Sequence, residues 1–188
     1  MNAPGSDRNL RVLFVCTANV CRSPLGAGLL KLRATQASAP ISIASAGTLA
    51  EGMSTDPNVV TVLQEYGVDA TAKKSRLLTP ELIRASDIVL TMTREHVRDL
   101  AIDMPEAFRR TFPVKEFLRR ASETGRPQEG QSIADWLEKL GEGRTASSYL
   151  GDLSADGVRD PIGGSMAEFR TTADELELLF GNVAQLLV

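Results

Sequence analysis

Near the N-terminus, a cysteine and an arginine are spaced in a way that suits the binding of a tetrahedral anion. Residues 16–22 read Cys-Thr-Ala-Asn-Val-Cys-Arg, and Ser23 and Pro24 follow directly. A thiolate is a strong nucleophile, and the planar guanidinium of Arg22 can donate hydrogen bonds to two oxygens of one phosphoryl group. The spacing therefore predicts that Cys16 attacks phosphorus while Arg22 holds the phosphoryl oxygens.

The elements on either side of this loop determine how it is presented. Residues 10–15, LRVLFV, form a short apolar run with polar neighbours, which predicts one buried strand. Pro24 suits the first turn of a helix, because its φ is fixed and it has no N–H to donate. A loop between a strand and a helix N-terminus can direct backbone N–H groups at a dianion, and its positive field stabilises a thiolate. The same spacing also occurs by chance, with the cysteine simply packed in a core.

The rest of the chain alternates predicted strands with predicted helices. This alternation favours an α/β fold, with a parallel sheet that has helices on both faces. In such a sheet the functional site lies at the carboxyl ends of the strands, which is where the first strand places Cys16. Further strands are predicted at residues 41–44, 87–92 and 112–114. Helices are predicted at about 24–35, 57–66, 93–100, 116–121, 132–140 and 166–187, and another is predicted to start at residues 79–81.

Length and composition indicate one domain over residues 1–188, which begins with a flexible leader at residues 1–8 that lacks a signal pattern. The net charge of −3 gives no basic field, so neither nucleic acid nor an anionic membrane is an expected partner. No apolar run approaches the length of a membrane span. With two cysteines on one loop and a single histidine, a zinc site is not expected. These features favour a reducing, cytoplasmic location.

The loop and several later stretches resemble one known family. Residues 15–24 resemble the phosphate-binding loop of the low-molecular-weight protein tyrosine phosphatases, and the resemblance extends over about residues 10–115 and 158–187. It implies a doubly wound, four-stranded parallel sheet and a cysteine-dependent phosphatase that acts on phosphorylated protein without a metal or an organic cofactor. The stretches that carry it are residues 15–24, 45–48 (Ser-Ala-Gly-Thr), 85–93 and 159–161 (Arg-Asp-Pro).

A phosphatase of this kind needs an acid to protonate the leaving group. Asp152, Asp156 and Asp160 are the competing carboxylates, and only Asp160 precedes a proline, which favours an extended backbone at the aspartate. On these residues alone, the Asp-Pro pair is equally compatible with a plain turn. The resemblance implies that Asp160 is the general acid. The only histidine, His96, is expected at the solvated start of a helix, without a catalytic role.

The remaining site residues are expected around the loop and in one neighbouring turn. Backbone N–H groups of residues 17–22 would bind phosphoryl oxygens, and the hydroxyl of Ser23 would support Cys16. Asn19 would shape the loop, because asparagine tolerates a left-handed backbone and can hydrogen-bond within the loop. Leu49 and Met53 would form an apolar wall. The substrate-binding residues are thus expected to be Thr17, Ala18, Asn19, Val20, Cys21, Ser23, Leu49 and Met53.

Three residues away from the reaction itself have two interpretations each. Cys21 is either a small packing residue or a redox partner that traps oxidised Cys16 as a reversible disulfide. Trp136 and Tyr149 are expected to be core anchors rather than ligand contacts. Lys73 stands where the family often has a histidine, so the hydrogen bonds that support the loop must differ here.

The choice of phosphoamino acid depends on Val20. Tyrosine-specific relatives tend to have a larger aliphatic residue here, and the bacterial protein-arginine phosphatase branch has a threonine. Valine lacks the hydroxyl that could polarise a phosphoramidate. Residues 79–93 and 160–165 resemble the arginine branch more closely, but Val20 is nearest the reacting centre. We therefore expect phosphotyrosine to be preferred, with protein-arginine phosphatase activity as the alternative.

Two further functions are compatible with such a loop. Arsenate reductase chemistry uses it to bind another oxyanion, but the relay cysteines of thioredoxin-coupled members are missing after Cys21. A silent phosphoprotein-binding module is disfavoured by the intact Cys16, Arg22 and Asp160.

One stretch is longer than the resemblance implies. Residues 118–157, ahead of the Asp-Pro pair, are predicted to be a helical insertion. We expect either a lid or recognition arm beside the cleft, or a surface excursion without a role in substrate selection.

Overall fold

The computed structural model describes residues 9–49, 51–151 and 156–186, and for residues 182–186 it describes the backbone only. The expected leader at residues 1–8 and Asp152 lie outside the described residues, as does the end of the last predicted helix at residue 187. No helix in the described ranges has both the length and the apolar character that a membrane span requires.

Four parallel strands form one sheet, in the order β2-β1-β3-β4. Strand β1 is central, and along it Leu10 lies opposite Ile41 of β2, while Cys16 lies opposite Gly47. The order reverses direction at β1, so the crevice at the carboxyl end of this strand is the expected place for a ligand. The strand bounds are β1 Leu10–Cys16, β2 Ile41–Gly47, β3 Ile88–Thr91 and β4 Thr111–Pro113.

Local signals explain where several helices begin. The side chains of Asp56, Thr79 and Ser132 accept hydrogen bonds from backbone N–H groups of the first turn that each precedes. Two short 3-10 helices cover Pro105–Arg110 and Ala146–Tyr149. The α-helices are α1 Arg22–Gln36, α2 Pro57–Glu65, α3 Pro80–Arg84, α4 Arg94–Asp103, α5 Val114–Thr124, α6 Ile133–Leu140 and α7 Met166–Leu186.

The core lies on both faces of the sheet, because side chains of β1 point alternately to opposite sides. Phe14 and Cys16 belong to the larger cluster, which also includes side chains of α1, α5 and α7. Leu13 and Val15 belong to a smaller cluster with side chains of α3 and α4. The predicted doubly wound α/β sheet is thereby confirmed.

The described part of residues 118–157 contributes to the larger cluster. Trp136 of α6 is 1% exposed, its ring meets Phe117 edge-on at 5.9 Å, and its Nε1–H donates to the carbonyl of Gly125 at 2.9 Å. Tyr149 is also buried, and its hydroxyl donates to Glu116 at 2.6 Å. Both aromatic residues are core anchors, as predicted.

Candidate active site

Cys16 is the last residue of β1, and its buried thiol lies inside the loop that follows. The Sγ atom is 2.9 Å from the hydroxyl oxygen of Ser23 and accepts the backbone N–H of Asn19 at 3.2 Å. Negative charge on the sulfur would be stabilised by such donors, and the N-terminus of α1 directly behind the loop adds a favourable field. The loop therefore surrounds the sulfur with groups that would stabilise a thiolate.

Asn19 determines the shape of this loop. Its backbone is left-handed, with φ of 55°, its Nδ2 donates to the Ser23 hydroxyl at 2.8 Å, and its Oδ1 accepts the backbone N–H of Arg76 at 2.9 Å. The predicted loop-shaping role is confirmed. The sequence, with Lys73 in place of a histidine, did not indicate which residue supports the loop. The backbone N–H of Arg76 provides such a supporting hydrogen bond.

Gly47 allows the loop to lie directly against the end of β2. A Cβ atom at this position would lie 2.7 Å from the carbonyl oxygen of Thr17 and 2.8 Å from the backbone nitrogen of Asn19. Two residues after Gly47, the backbone N–H of Leu49 donates to the same Thr17 carbonyl at 2.9 Å. The second strand was predicted to end at residue 44, so the sequence did not indicate this contact, whereas β2 continues to Gly47, which lies opposite Cys16.

Arg22 and Asp160 meet across the mouth of the loop. A terminal nitrogen of the buried Arg22 side chain is 2.6 Å from Oδ2 of Asp160, whose Oδ1 accepts the backbone N–H of Ile162 at 3.2 Å. Asp156 instead pairs with Arg94 at 2.9 Å. Among the described carboxylates that the sequence left in competition, Asp160 is thus the one brought to Arg22.

His96 is not solvated, so that expectation was wrong. Its side chain is 7% exposed, with Nε2 lying 3.1 Å from the hydroxyl of Thr17 and Nδ1 lying 2.8 Å from that of Thr93. Burial, assisted by the positive charge of Arg22, lowers its pKa from 6.5 to about 4. No signal within α4 indicates this burial, because it depends on the contact with Thr17, which lies about eighty residues earlier in the chain.

Cys21 and Val20 both pack into the larger core cluster. Burial, together with the nearby carboxylates of Asp56 and Asp160, raises the pKa of the Cys21 thiol to about 12. The packing interpretation of Cys21 is confirmed, whereas its role as a redox partner stays a prediction. The carbonyl of Val20 accepts the backbone N–H of Asp56 at 3.0 Å, which ties the loop to the start of α2.

Two segments next to the loop, one after β2 and one after the Asp-Pro pair, carry exposed apolar side chains. Leu49 is 66% exposed directly beyond the turn at the end of β2, and Ile162 is 56% exposed just after the Asp-Pro pair. Met53 is also exposed, in the same segment as Leu49, and its backbone pairs with Ser75. An aromatic or aliphatic group next to a bound phosphoryl group could pack against Leu49 and Ile162.

Comparisons with known proteins agree with this geometry. The sequence profile of the low molecular weight phosphotyrosine protein phosphatase family matches residues 11–135. A protein-arginine-phosphatase of Geobacillus stearothermophilus is 32% identical over 179 residues, covering 94% of this chain and 95% of that protein. The low molecular weight protein-tyrosine-phosphatase Etp of Escherichia coli is 32% identical over 112 residues, covering 58% of this chain and 72% of that protein.

Solved structures are similar over nearly the whole chain. The low molecular weight protein tyrosine phosphatase from T. tengcongensis superposes with a TM-score of 0.71 at 28% identity, covering 94% of this chain and 99% of that one. The YwlE arginine phosphatase from Geobacillus stearothermophilus gives 0.68 at 29% identity, covering 94% of this chain and 91% of that one.

Proposed function

This chain belongs to the low molecular weight phosphotyrosine protein phosphatase family, and from this premise we propose that its loop hydrolyses phosphorylated protein through a phosphocysteine intermediate. The chain is thus a phosphatase enzyme with phosphoproteins as its substrates. The proposed roles are nucleophile for Cys16, phosphoryl binding for Arg22 and general acid for Asp160.

In the first step, the Cys16 thiolate attacks phosphorus and the bond between phosphorus and the leaving atom breaks. Backbone N–H groups of residues 17–22 and the Arg22 guanidinium bind the equatorial oxygens, whose negative charge they stabilise in the transition state. Arg22 exchanges its contact with Asp160 for these oxygens. Asp160 then donates its proton to the departing side chain, so that the leaving group departs neutral.

In the second step, a water molecule attacks the phosphocysteine. The Asp160 carboxylate accepts a proton from this water, the S–P bond breaks, and inorganic phosphate and the thiolate are released. The Ser23 hydroxyl and the Asn19 N–H that contact Sγ favour the sulfur as a leaving group, because both groups can donate hydrogen bonds to the thiolate that is released.

The observation that carries this proposal is the 2.6 Å contact between Arg22 and Asp160 at the mouth of the Cys16 loop. Cys16→Ser should abolish turnover of 4-nitrophenyl phosphate. Asp160→Asn should slow phenyl phosphate, whose leaving group is poor, by about 10²-fold or more, and 4-nitrophenyl phosphate much less. Asp103→Asn, at an exposed position near the end of α4, is the matched control. Equal slowing of both substrates in Asp160→Asn would contradict the acid role.

We propose phosphotyrosine as the preferred substrate, because the side chain of Val20 offers no hydroxyl to a phosphoramidate. Phosphoarginine is the second candidate, and similarity over 94% of the chain to protein-arginine-phosphatases favours it. Turnover of phosphotyrosine and phosphoarginine peptides by the purified protein distinguishes the two. Val20→Thr should raise the ratio of phosphoarginine to phosphotyrosine turnover, and a wild type already faster on phosphoarginine would contradict the first choice.

We also propose a reducing, cytoplasmic location, because a catalytic thiol persists in such a compartment.

A further proposal is that peroxide inactivates the enzyme reversibly. Peroxide would oxidise Cys16 to a sulfenic acid, with which the Cys21 thiol would condense to a disulfide with loss of water. Cys21→Ser should stay active but lose its recovery with dithiothreitol, and unchanged recovery would contradict the idea.

A further inference from the structure

Arg94, the first residue of α4, is a buried cation outside the proposed catalytic groups. It is 8% exposed, and its guanidinium carbon lies 4.5 Å from the centre of the Tyr149 ring. One terminal nitrogen donates to Oδ2 of Asp156 at 2.9 Å, and the other donates to the carbonyl of Ser148. Arg94 therefore holds the chain at two points shortly before Asp160.

Burial of this guanidinium is a poor way to gain stability. Its Nε is buried and has no hydrogen-bond partner in the described part of the chain. A buried charge pair often contributes no more to stability than well-packed apolar residues of similar size would. The geometry that Arg94 imposes on its partners is the more informative property.

Within the described residues, Arg94, Met92 and Arg22 hold the segment that carries Asp160 on the side of the site, and Arg159 pairs with Glu168 of α7 at the exposed surface. Arg94 pairs with Asp156, the backbone N–H of Val158 donates to the carbonyl of Met92 at 2.8 Å, and Asp160 itself contacts Arg22. When Arg22 turns to the phosphoryl oxygens, the third hold is lost. The first two then connect the acid segment to the end of β3 and the start of α4, and of these only the Arg94 pair is made by side chains.

The same turn of α4 also contacts the nucleophile loop. His96, two residues beyond Arg94, lies against the hydroxyl of Thr17, the residue after Cys16. One helical turn thus contacts both the loop that attacks phosphorus and the segment that carries the acid. Proton transfer to a leaving group depends on positions of this kind, because an error of about 1 Å can cost about 10²-fold in rate.

We propose that Arg94 is a positioning residue for the general acid, and that it holds the Asp160 segment in register with the Cys16 loop once substrate has taken Arg22. This rests on the proposed role of Asp160. The effect of losing Arg94 should therefore depend on the leaving group, since a good leaving group departs with little help from an acid.

The test compares kcat/KM for phenyl phosphate and 4-nitrophenyl phosphate in the full-length protein. Arg94→Met should lower the value for phenyl phosphate about tenfold or more and that for 4-nitrophenyl phosphate about twofold. The ratio measured on one preparation cancels the fraction of folded enzyme. Asp156→Asn should shift the ratio in the same direction, because it removes the same ion pair. Arg98→Met, on the same helix with an exposed partner, should leave the ratio unchanged.

A double variant separates positioning from packing. In an Asp160→Asn background the acid is absent, so Arg94→Met should add no further loss on phenyl phosphate. Equal loss on both substrates, or a full additional loss in that background, would overturn the proposal while the role of Asp160 stands. If Asp160→Asn itself treats the two substrates alike, the acid role fails and this proposal fails with it.

Discussion

In the loop that follows Cys16, Asn19 combines a left-handed backbone with two side-chain hydrogen bonds, to Ser23 and to the backbone of Arg76. The two contributions can be separated by substitution. Glycine keeps the backbone conformation at no steric cost but loses the bonds, whereas alanine loses both.

We expect Asn19→Gly and Asn19→Ala each to lower kcat/KM for 4-nitrophenyl phosphate about tenfold or more, because the sulfur loses its fixed surroundings. Only Asn19→Ala should also introduce backbone strain, which lowers the free energy of unfolding in urea by about 1 kcal/mol. Ser38, with φ of 52° in the turn after α1, provides the control: Ser38→Gly should relieve backbone strain and leave activity unchanged. Full activity in Asn19→Gly would show that the side chain is dispensable.

His96 makes stability depend on pH, because its pKa falls from 6.5 to about 4 on folding. Between these values the unfolded chain binds more protons, so the contribution of His96 is complete above pH 6.5 and is lost as the pH falls towards 4. At pH 5 the loss should be about 2 kcal/mol. We expect the free energy of unfolding to fall more between pH 7 and pH 5 in the wild type than in His96→Gln. Equal falls would contradict the burial of a neutral imidazole.

At the scale of elements, the contact of β2 with the nucleophile loop depends on the missing side chain of Gly47. Gly47→Ala would place a methyl group against backbone atoms, so the loop would have to move. We expect at least about tenfold lower kcat/KM and a lower Tm. Gly181→Ala in α7 is the matched control, because a Cβ there meets nothing within 4 Å and alanine favours the helix by about 1 kcal/mol. An active Gly47→Ala enzyme would show that the loop tolerates displacement.

Local sequence signals predicted most elements but not their contacts. The Asp56 and Thr79 caps and the LRVLFV run of β1 are short-range features, so they could be identified without the fold. The loop-shaping role of Asn19 was predictable for the same reason. The burial of His96 was not, because it depends on a loop about eighty residues earlier, to which only the sheet register brings it. The pairing of Arg94 with Asp156 is equally non-local.

At the scale of the whole molecule, the single tryptophan reports on the segment between β4 and Asp160. Trp136 packs in the same cluster as the sheet, so the segment should unfold together with it. We expect the urea transitions seen by tryptophan fluorescence and by far-UV circular dichroism to coincide. Trp136→Phe serves as the control for the fluorescence signal. An earlier fluorescence transition would mean that the segment is a separate cooperative unit.

The proposed role of residues 118–157 in substrate selection remains a prediction. A deletion would remove Trp136, Leu137 and Leu140 from the core, so it would test folding rather than recognition. Substitution at an exposed position such as Leu150 is the better approach, because that side chain is 67% exposed.

The pair formed by Arg22 and Asp160 means that one guanidinium serves two anions in turn. In the proposed mechanism an arriving phosphoryl group competes with the carboxylate for Arg22, so occupation of the loop and release of Asp160 from this contact favour one another by the same factor. Without substrate, Asp160 stays paired with Arg22, and binding of the substrate ends this contact. The product is also a phosphate and competes for the same guanidinium. Inhibition by inorganic phosphate and release of Asp160 from Arg22 are therefore two results of a single linked equilibrium.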